Sequence, residues 1–151
     1  MLEKFMDKDL IFVQDEAEGK YELLEQMVDK TLGKGLIMTR EPILHEIKKR
    51  EELESTGVIE GVALPHARTE AVKDLILEIS IIKNGLDFEA LDGKPVNIVF
   101  LIVAPEDARK KYIKVLARIS RMCRQEGFRD KLQSAEDAEE VYNIIKDLDS
   151  E

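Results

Sequence analysis

Val96-Asn97-Ile98-Val99-Phe100-Leu101-Ile102-Val103 is apolar at every position except Asn97. A run of this kind, too short for a membrane and bounded by turn residues, reads as a central strand covered on both faces. The rest of the chain organises around it. Upstream, Leu75, Leu77, Ile79 and Ile81 alternate with Ile76, Glu78, Ser80 and Ile82, the period of a strand. Asn84-Gly85 is a turn signal, Leu86 to Leu91 reads as partly extended, and Asp92-Gly93-Lys94-Pro95 turns the chain again into the central run. Downstream, Ala104-Pro105 closes the strand and opens a long helix with Ala108, Tyr112, Val115, Ile119 and Met122 on one stripe, ended by Gly127. Phe128 to Leu132 reads as a short extra turn. Ser134 with Asp137 reads as a capping pair for a last helix that buries Ala138, Val141, Tyr142, Ile145 and Leu148.

Towards the N-terminus, Leu10-Ile11-Phe12-Val13 reads as a first strand. A helix from Ala17 to about Leu32 follows, stopped by Gly33-Lys34-Gly35. Thr39 is the expected N-cap of a second helix, with Pro42 in its first turn, Ile43, Leu44 and Ile47 on its apolar side, and an end near Leu53. Val58 to Leu64 reads as extended, interrupted by Gly61. The expectation is one α/β (α+β) domain over residues 1–151, a mixed sheet flanked by helices.

With 151 residues, 44% of them hydrophobic, the chain can bury its own core. A formal charge of −9 argues against broad nucleic-acid binding, which needs a basic surface. No apolar run is long enough to span a bilayer, so no direct membrane insertion is expected, and the N-terminus has no signal-peptide pattern. One cysteine, Cys123, excludes an internal disulfide framework and fits a reducing, cytoplasmic setting.

Chemistry concentrates at Gly61-Val62-Ala63-Leu64-Pro65-His66-Ala67-Arg68. Pro65 stiffens the backbone and biases Leu64 to extended geometry, so His66 is delivered at a strand end. Imidazole is the side chain suited to gain and lose charge, or a transferable group, near neutral pH. A buried histidine bonded to backbone would account for the residue equally well. Arg50 and Arg68 can supply planar donors to phosphate oxygens, and Thr56 a hydroxyl at a glycine break. The plainer reading of Arg50 is as part of the solvated run Lys48-Lys49-Arg50-Glu51-Glu52. His45, the other histidine, reads as structural or solvated on the second helix. His45, His66 and Cys123 lack the paired spacing of a metal site.

The constellation Arg50-Glu51, Ser55-Thr56-Gly57-Val58 and Gly61-Val62-Ala63-Leu64-Pro65-His66 resembles the signature of the fructose/mannitol-type enzyme IIA domain of the bacterial phosphoenolpyruvate-dependent sugar phosphotransferase system, a family that includes the nitrogen-related stand-alone proteins. The resemblance extends to Glu18-Gly19-Lys20, Leu86-Asp87-Phe88, Leu91-Asp92-Gly93-Lys94-Pro95-Val96 and Val103-Ala104-Pro105, and so covers nearly the whole chain. It implies a mixed sheet with helices and a phosphorylated histidine at His66. It further implies a phosphoryl donor of the HPr phosphocarrier type and an acceptor cysteine on a IIB domain, or a regulatory target protein. Arg50 matches the active-site arginine of the family. No metal or organic cofactor is implied, nor any nucleic-acid partner. Family members usually carry a second histidine early in the long C-terminal helix, where this chain has Tyr112 in Tyr112-Ile113-Lys114-Val115-Leu116. A phenol donates a hydrogen bond but cannot become a cation. Tyr112 also lies on the apolar stripe, so both a site role and a packing role are open. The departure tilts the reading from a high-flux transport component towards a regulatory phosphoacceptor. An interaction domain with a structural His66 is the third possibility.

Overall fold

The computed structural model describes residues 1–150. The run at 96–103 forms β5 (Val96–Ala104), and β4 (Ile76–Leu86) pairs with it antiparallel along one edge. Along the other edge two short strands lie end to end, both parallel to it: β2 (Val62–Ala63) opposite Ile98 and Val99, and β3 (His66–Arg68) opposite Ile102 to Ala104. Beyond β4, β1 (Ile11–Gln14) pairs with it in parallel, from Ile11 against Ile79 to Gln14 against Ile82. The sheet is therefore mixed, in the order β1-β4-β5-β2 with β3 also on β5.

Alternate residues of β5 enter opposite cores, as a strand period of two requires. Ile98, Phe100 and Ile102 pack with Leu77, Ile79 and Ile81 under α3 (Arg109–Cys123), α4 (Phe128–Ser134) and α5 (Ala138–Asp149), where Val115, Ile119, Leu132, Val141 and Ile145 are buried. Val99, Leu101 and Val103 pack with Ile76 and Ile82 under α1 (Lys20–Gly33) and α2 (Glu41–Leu53), which bury Leu24, Met27, Val28, Ile43 and Ile47. Helices thus cover both faces, and the run at 96–103 is apolar because neither face meets water.

Several local expectations are corrected. Asn84-Gly85 is no hairpin turn: β4 continues through it with a register shift between Ile81 and Leu86, and Gly85 supplies the left-handed φ of 79° that the irregularity needs. The chain reverses later, at Asp92-Gly93. Thr39 does not cap α2, whose N-cap is Arg40 with no side-chain bond, although Pro42 does fall in the first turn. Asp137 caps α5 alone, its carboxylate accepting from the Glu140 amide at 2.8 Å, while Ser134 ends α4. The long helix begins at Arg109, after a turn closed by the Ala108 amide on the Pro105 carbonyl. Rather than ending a strand, His66 opens β3, because Leu64-Pro65 separates it from β2.

Glu78 and Ser80, on the face of β4 opposite Leu77, Ile79 and Ile81, are buried as well. Glu78 has no exposed surface and neither carboxyl oxygen has a hydrogen-bond partner. Burial pushes its pKa from 4.5 up to about 9 against the pull of the Lys30 charge, so the group is protonated at neutral pH.

Candidate functional site

Three consecutive residues set the state of His66. Its Nδ1 lies 2.6 Å from the carbonyl oxygen of Leu64, two residues back across Pro65. A carbonyl oxygen only accepts, so Nδ1 carries the proton of the neutral ring and Nε2 keeps its lone pair. The ring is half-buried. That burial lowers its pKa from 6.5, the bond to Leu64 opposes the shift, the Arg50 charge adds to it and the Glu51 charge works against it. The net depression leaves the imidazole neutral at pH 7, the form in which Nε2 is a nucleophile.

Tyr112, in the first turn of α3, brings its ring centroid to 5.8 Å from that of His66 at an interplanar angle of 58°. It is 8% exposed and packed in the cluster beneath α3, with His66 beside it. Burial pushes its phenol up to about 12, and the charges of Arg68 and Arg50 pull the other way. The phenol is thus a donor throughout the physiological range and lies within the field of both guanidiniums. Arg68 is exposed, with Cζ 5.9 Å from the Tyr112 ring centroid and Nη1 donating to the Glu106 carbonyl at 3.2 Å. Arg50, in the last turn of α2, is half-buried and donates through Nη1 to the Glu54 carbonyl at 2.7 Å. Its charge acts on both His66 and Tyr112. His66, Arg50, Arg68 and Tyr112 therefore come from three elements, β3, α2 and α3, although β3 and α3 are far apart in sequence.

Thr56 is placed differently. It is 2% exposed, and its hydroxyl donates to Glu51 Oε2 at 2.5 Å, beneath the site rather than into it. The loop that holds it requires Gly57, where a Cβ would come 2.9 Å from Cβ of Ala90. Ser55 Oγ bonds the Phe88 carbonyl at 3.1 Å and the Leu91 amide bonds the Gly57 carbonyl at 3.1 Å, tying this loop to the one after β4. His45 is exposed on α2, and Cys123 is buried with its thiol pushed up to about 12 by that burial.

Two buried residues beside the site escape a reading of the sequence for chemistry. Glu51 sits inside a charge run, and Lys20 in the first turn of a helix; both have the look of solvated residues. The signal is helical spacing: Glu51 continues the buried row Ile43, Ile47, and Lys20 precedes Leu23 and Leu24 on the buried face of α1.

A neutral imidazole with one free nitrogen, two guanidiniums and a phenol donor suits a phosphoryl group: a nucleophile for phosphorus and donors for its oxygens. The family model described as the phosphoenolpyruvate-dependent sugar phosphotransferase system, EIIA 2, matches residues 4–148. The chain is 31% identical over 147 residues to a nitrogen regulatory protein of Pseudomonas aeruginosa, covering 97% of this chain and 96% of the relative. It is 32% identical over 146 residues to the fructose-specific EIIABC component of Bacillus subtilis, covering 97% of this chain but only 23% of that longer protein. The crystal structure of the nitrogen regulatory protein IIA-Ntr from Neisseria meningitidis superposes with a TM-score of 0.88 at 28% identity, covering 95% of this chain and 98% of that one.

Proposed function

The chain belongs to the EIIA type-2 family of the phosphoenolpyruvate-dependent sugar phosphotransferase system, and on that premise we propose that it is a cytoplasmic, single-domain phosphoryl carrier working through His66. His66 Nε2 attacks the phosphorus of a phosphohistidine on an HPr-type phosphocarrier protein. The new N–P bond forms as the old one breaks, and the carrier's imidazole leaves. The proton stays on Nδ1, donated to the Leu64 carbonyl, and the positive charge of the protonated donor ring passes to the phosphorylated His66 ring as the carrier's imidazole leaves neutral, so no external base is needed. Arg50 and Arg68 hold the phosphoryl oxygens as charge spreads over them, and Tyr112 donates a further hydrogen bond. Thr56 supports the loop from below. A cysteine of a IIB domain then takes the phosphoryl group, or a regulatory target reads its presence.

The observation that carries this reading is the 2.6 Å contact between His66 Nδ1 and the Leu64 carbonyl, which leaves Nε2 as the unprotonated nitrogen. Among the described residues no helix is long and apolar enough to cross a membrane. The test is incubation with phosphoenolpyruvate, enzyme I and HPr, followed by intact mass. The wild-type protein gains one phosphoryl group and H66A gains none while keeping its fold; uptake by H66A would move the acceptor elsewhere.

A second reading, a regulatory protein with weak or no onward transfer, is favoured by Tyr112. A phenol pushed up to about 12 offers a hydrogen bond but no positive charge to the phosphoryl group. Transfer from the phosphorylated protein to a IIB domain separates the two readings.

A further inference from the structure

We propose that Lys20, Glu51 and Thr56 are positioning residues for His66, a buried relay that holds the Leu64 carbonyl where it selects the tautomer with a free Nε2. The Lys20 and Glu51 side chains are 5% and 0% exposed, and Lys20 Nζ lies 3.0 Å from Glu51 Oε1. Taking both charges out of water is costly, and apolar residues of the same volume would pack the space at least as well. What apolar residues cannot do is grip Thr56. Glu51 Oε1 also accepts from the Thr56 amide at 3.2 Å, and Oε2 accepts from its hydroxyl at 2.5 Å. Lys20 also holds this carboxylate through Oε1, and its Nζ lies 4.8 Å from the Phe88 ring centroid and 3.8 Å from Glu89 Oε2.

With its amide and hydroxyl both engaged, Thr56 has one backbone group left, and its carbonyl accepts from the Leu64 amide at 3.2 Å. Leu64 in turn presents its own carbonyl to His66 Nδ1 at 2.6 Å. The Pro65 carbonyl bonds the Ile102 amide at 3.0 Å, so the segment is pinned to β5 immediately beyond the relay. Every link between α1 and the imidazole is thus a hydrogen bond or ion pair. The same carboxylate ties down the last turn of α2, from which Arg50 projects. A small drift of Leu64 would weaken the Nδ1 contact and admit the other tautomer, whose proton sits on the nitrogen that has to attack.

The relevance to phosphoryl transfer rests on the function proposed above, whereas the tautomer can be read without any transfer. The experiment uses the full chain labelled with 15N. His45, exposed on α2, is the only other histidine and serves as an internal reference. The 15N shifts of His66 should report a ring protonated at Nδ1 in the wild type and in T56S, which keeps the hydroxyl. E51Q turns one acceptor oxygen into a donor and T56V removes the hydroxyl donor, and both should show a mixture of tautomers. Their uptake from phosphorylated HPr should be slower by roughly ten- to a hundredfold, the scale of a misplaced nucleophile. A wild type that takes no phosphoryl group would sink the functional reading and leave the tautomer comparison standing. Folded E51Q and T56V with wild-type tautomer and rate would overturn the relay. Loss of fold in E51Q, T56V and T56S alike, seen by circular dichroism, would overturn it too, because the chain would then be a structural clamp.

Discussion

Replacing Glu78 with glutamine should stabilise the protein, and the gain should depend on pH in a way that only a buried, neutral carboxyl can produce. In the unfolded chain the group titrates at its ordinary 4.5, whereas in the native sheet burial holds it at about 9. Below 4.5 both states are protonated and the residue is indifferent. Between the two values the unfolded chain ionises and the native one does not, so native stability falls by about 1.4 kcal/mol for each pH unit, and levels off above 9. At pH 7 the accumulated loss is about 3 kcal/mol, a large share of the stability of a domain this size. Glutamine keeps the shape and cannot ionise. Urea unfolding of wild type and E78Q, followed by circular dichroism at about pH 5.5 and about pH 7.5, should show the gap between them widening by about 3 kcal/mol. A gap that stays constant across that range would mean that Glu78 is already ionised in the native state, for example through Lys30 turning inward, and the reasoning would fail.

Arg50→Ala should slow phosphoryl uptake far more than it destabilises the fold, by about 3 kcal/mol of transition-state stabilisation if it behaves as one preorganised donor, and Arg50→Lys should recover only part of the rate. Rapid-quench kinetics with phosphorylated HPr measure both, and wild-type kinetics in the alanine variant would return Arg50 to the solvated charge run. Tyr112→Phe should change phosphohistidine lifetime or uptake by a modest factor while barely altering stability, since only a hydroxyl is lost from a ring that stays packed. Tyr112→His should speed transfer to a IIB partner, and a variant that merely loses stability would assign Tyr112 to packing alone.

The layout of the sheet was legible because β5 is apolar on both sides and the helices flanking it carry single apolar stripes. Tyr112 was open between packing and the site in the sequence, and its ring lies 5.8 Å from that of His66 while it also packs in the core. What was not legible depended on contacts remote in sequence. Asn84-Gly85 has the composition of a hairpin turn, yet pairing of Leu86 with Val96 carries the strand through it. Glu78 alternates like a surface residue, and only α1 lying over that face of the sheet makes it buried. Glu51 is indistinguishable from Glu52 by charge, and its role depends on Lys20 and Thr56 both meeting its carboxylate. Thr56 was marked for its hydroxyl, but the hydroxyl turns inward and the carbonyl connects it to Leu64.

The parallel pairing of β3 with β5 also sets the order of events during synthesis. His66 leaves the ribosome with the two helices before it, but the strand that supports it comes later, as residues 96–104, and Tyr112 later still. A nascent chain that stops short of β5 has β3 without the strand it pairs with, and α1 and α2 with only the β1–β4 pair to cover. The acceptor nitrogen is therefore completed by the second half of the chain. Because domains fold largely as units once their distant pairings can close, the site and the core arrive together, and an incomplete chain offers a phosphocarrier no prepared histidine.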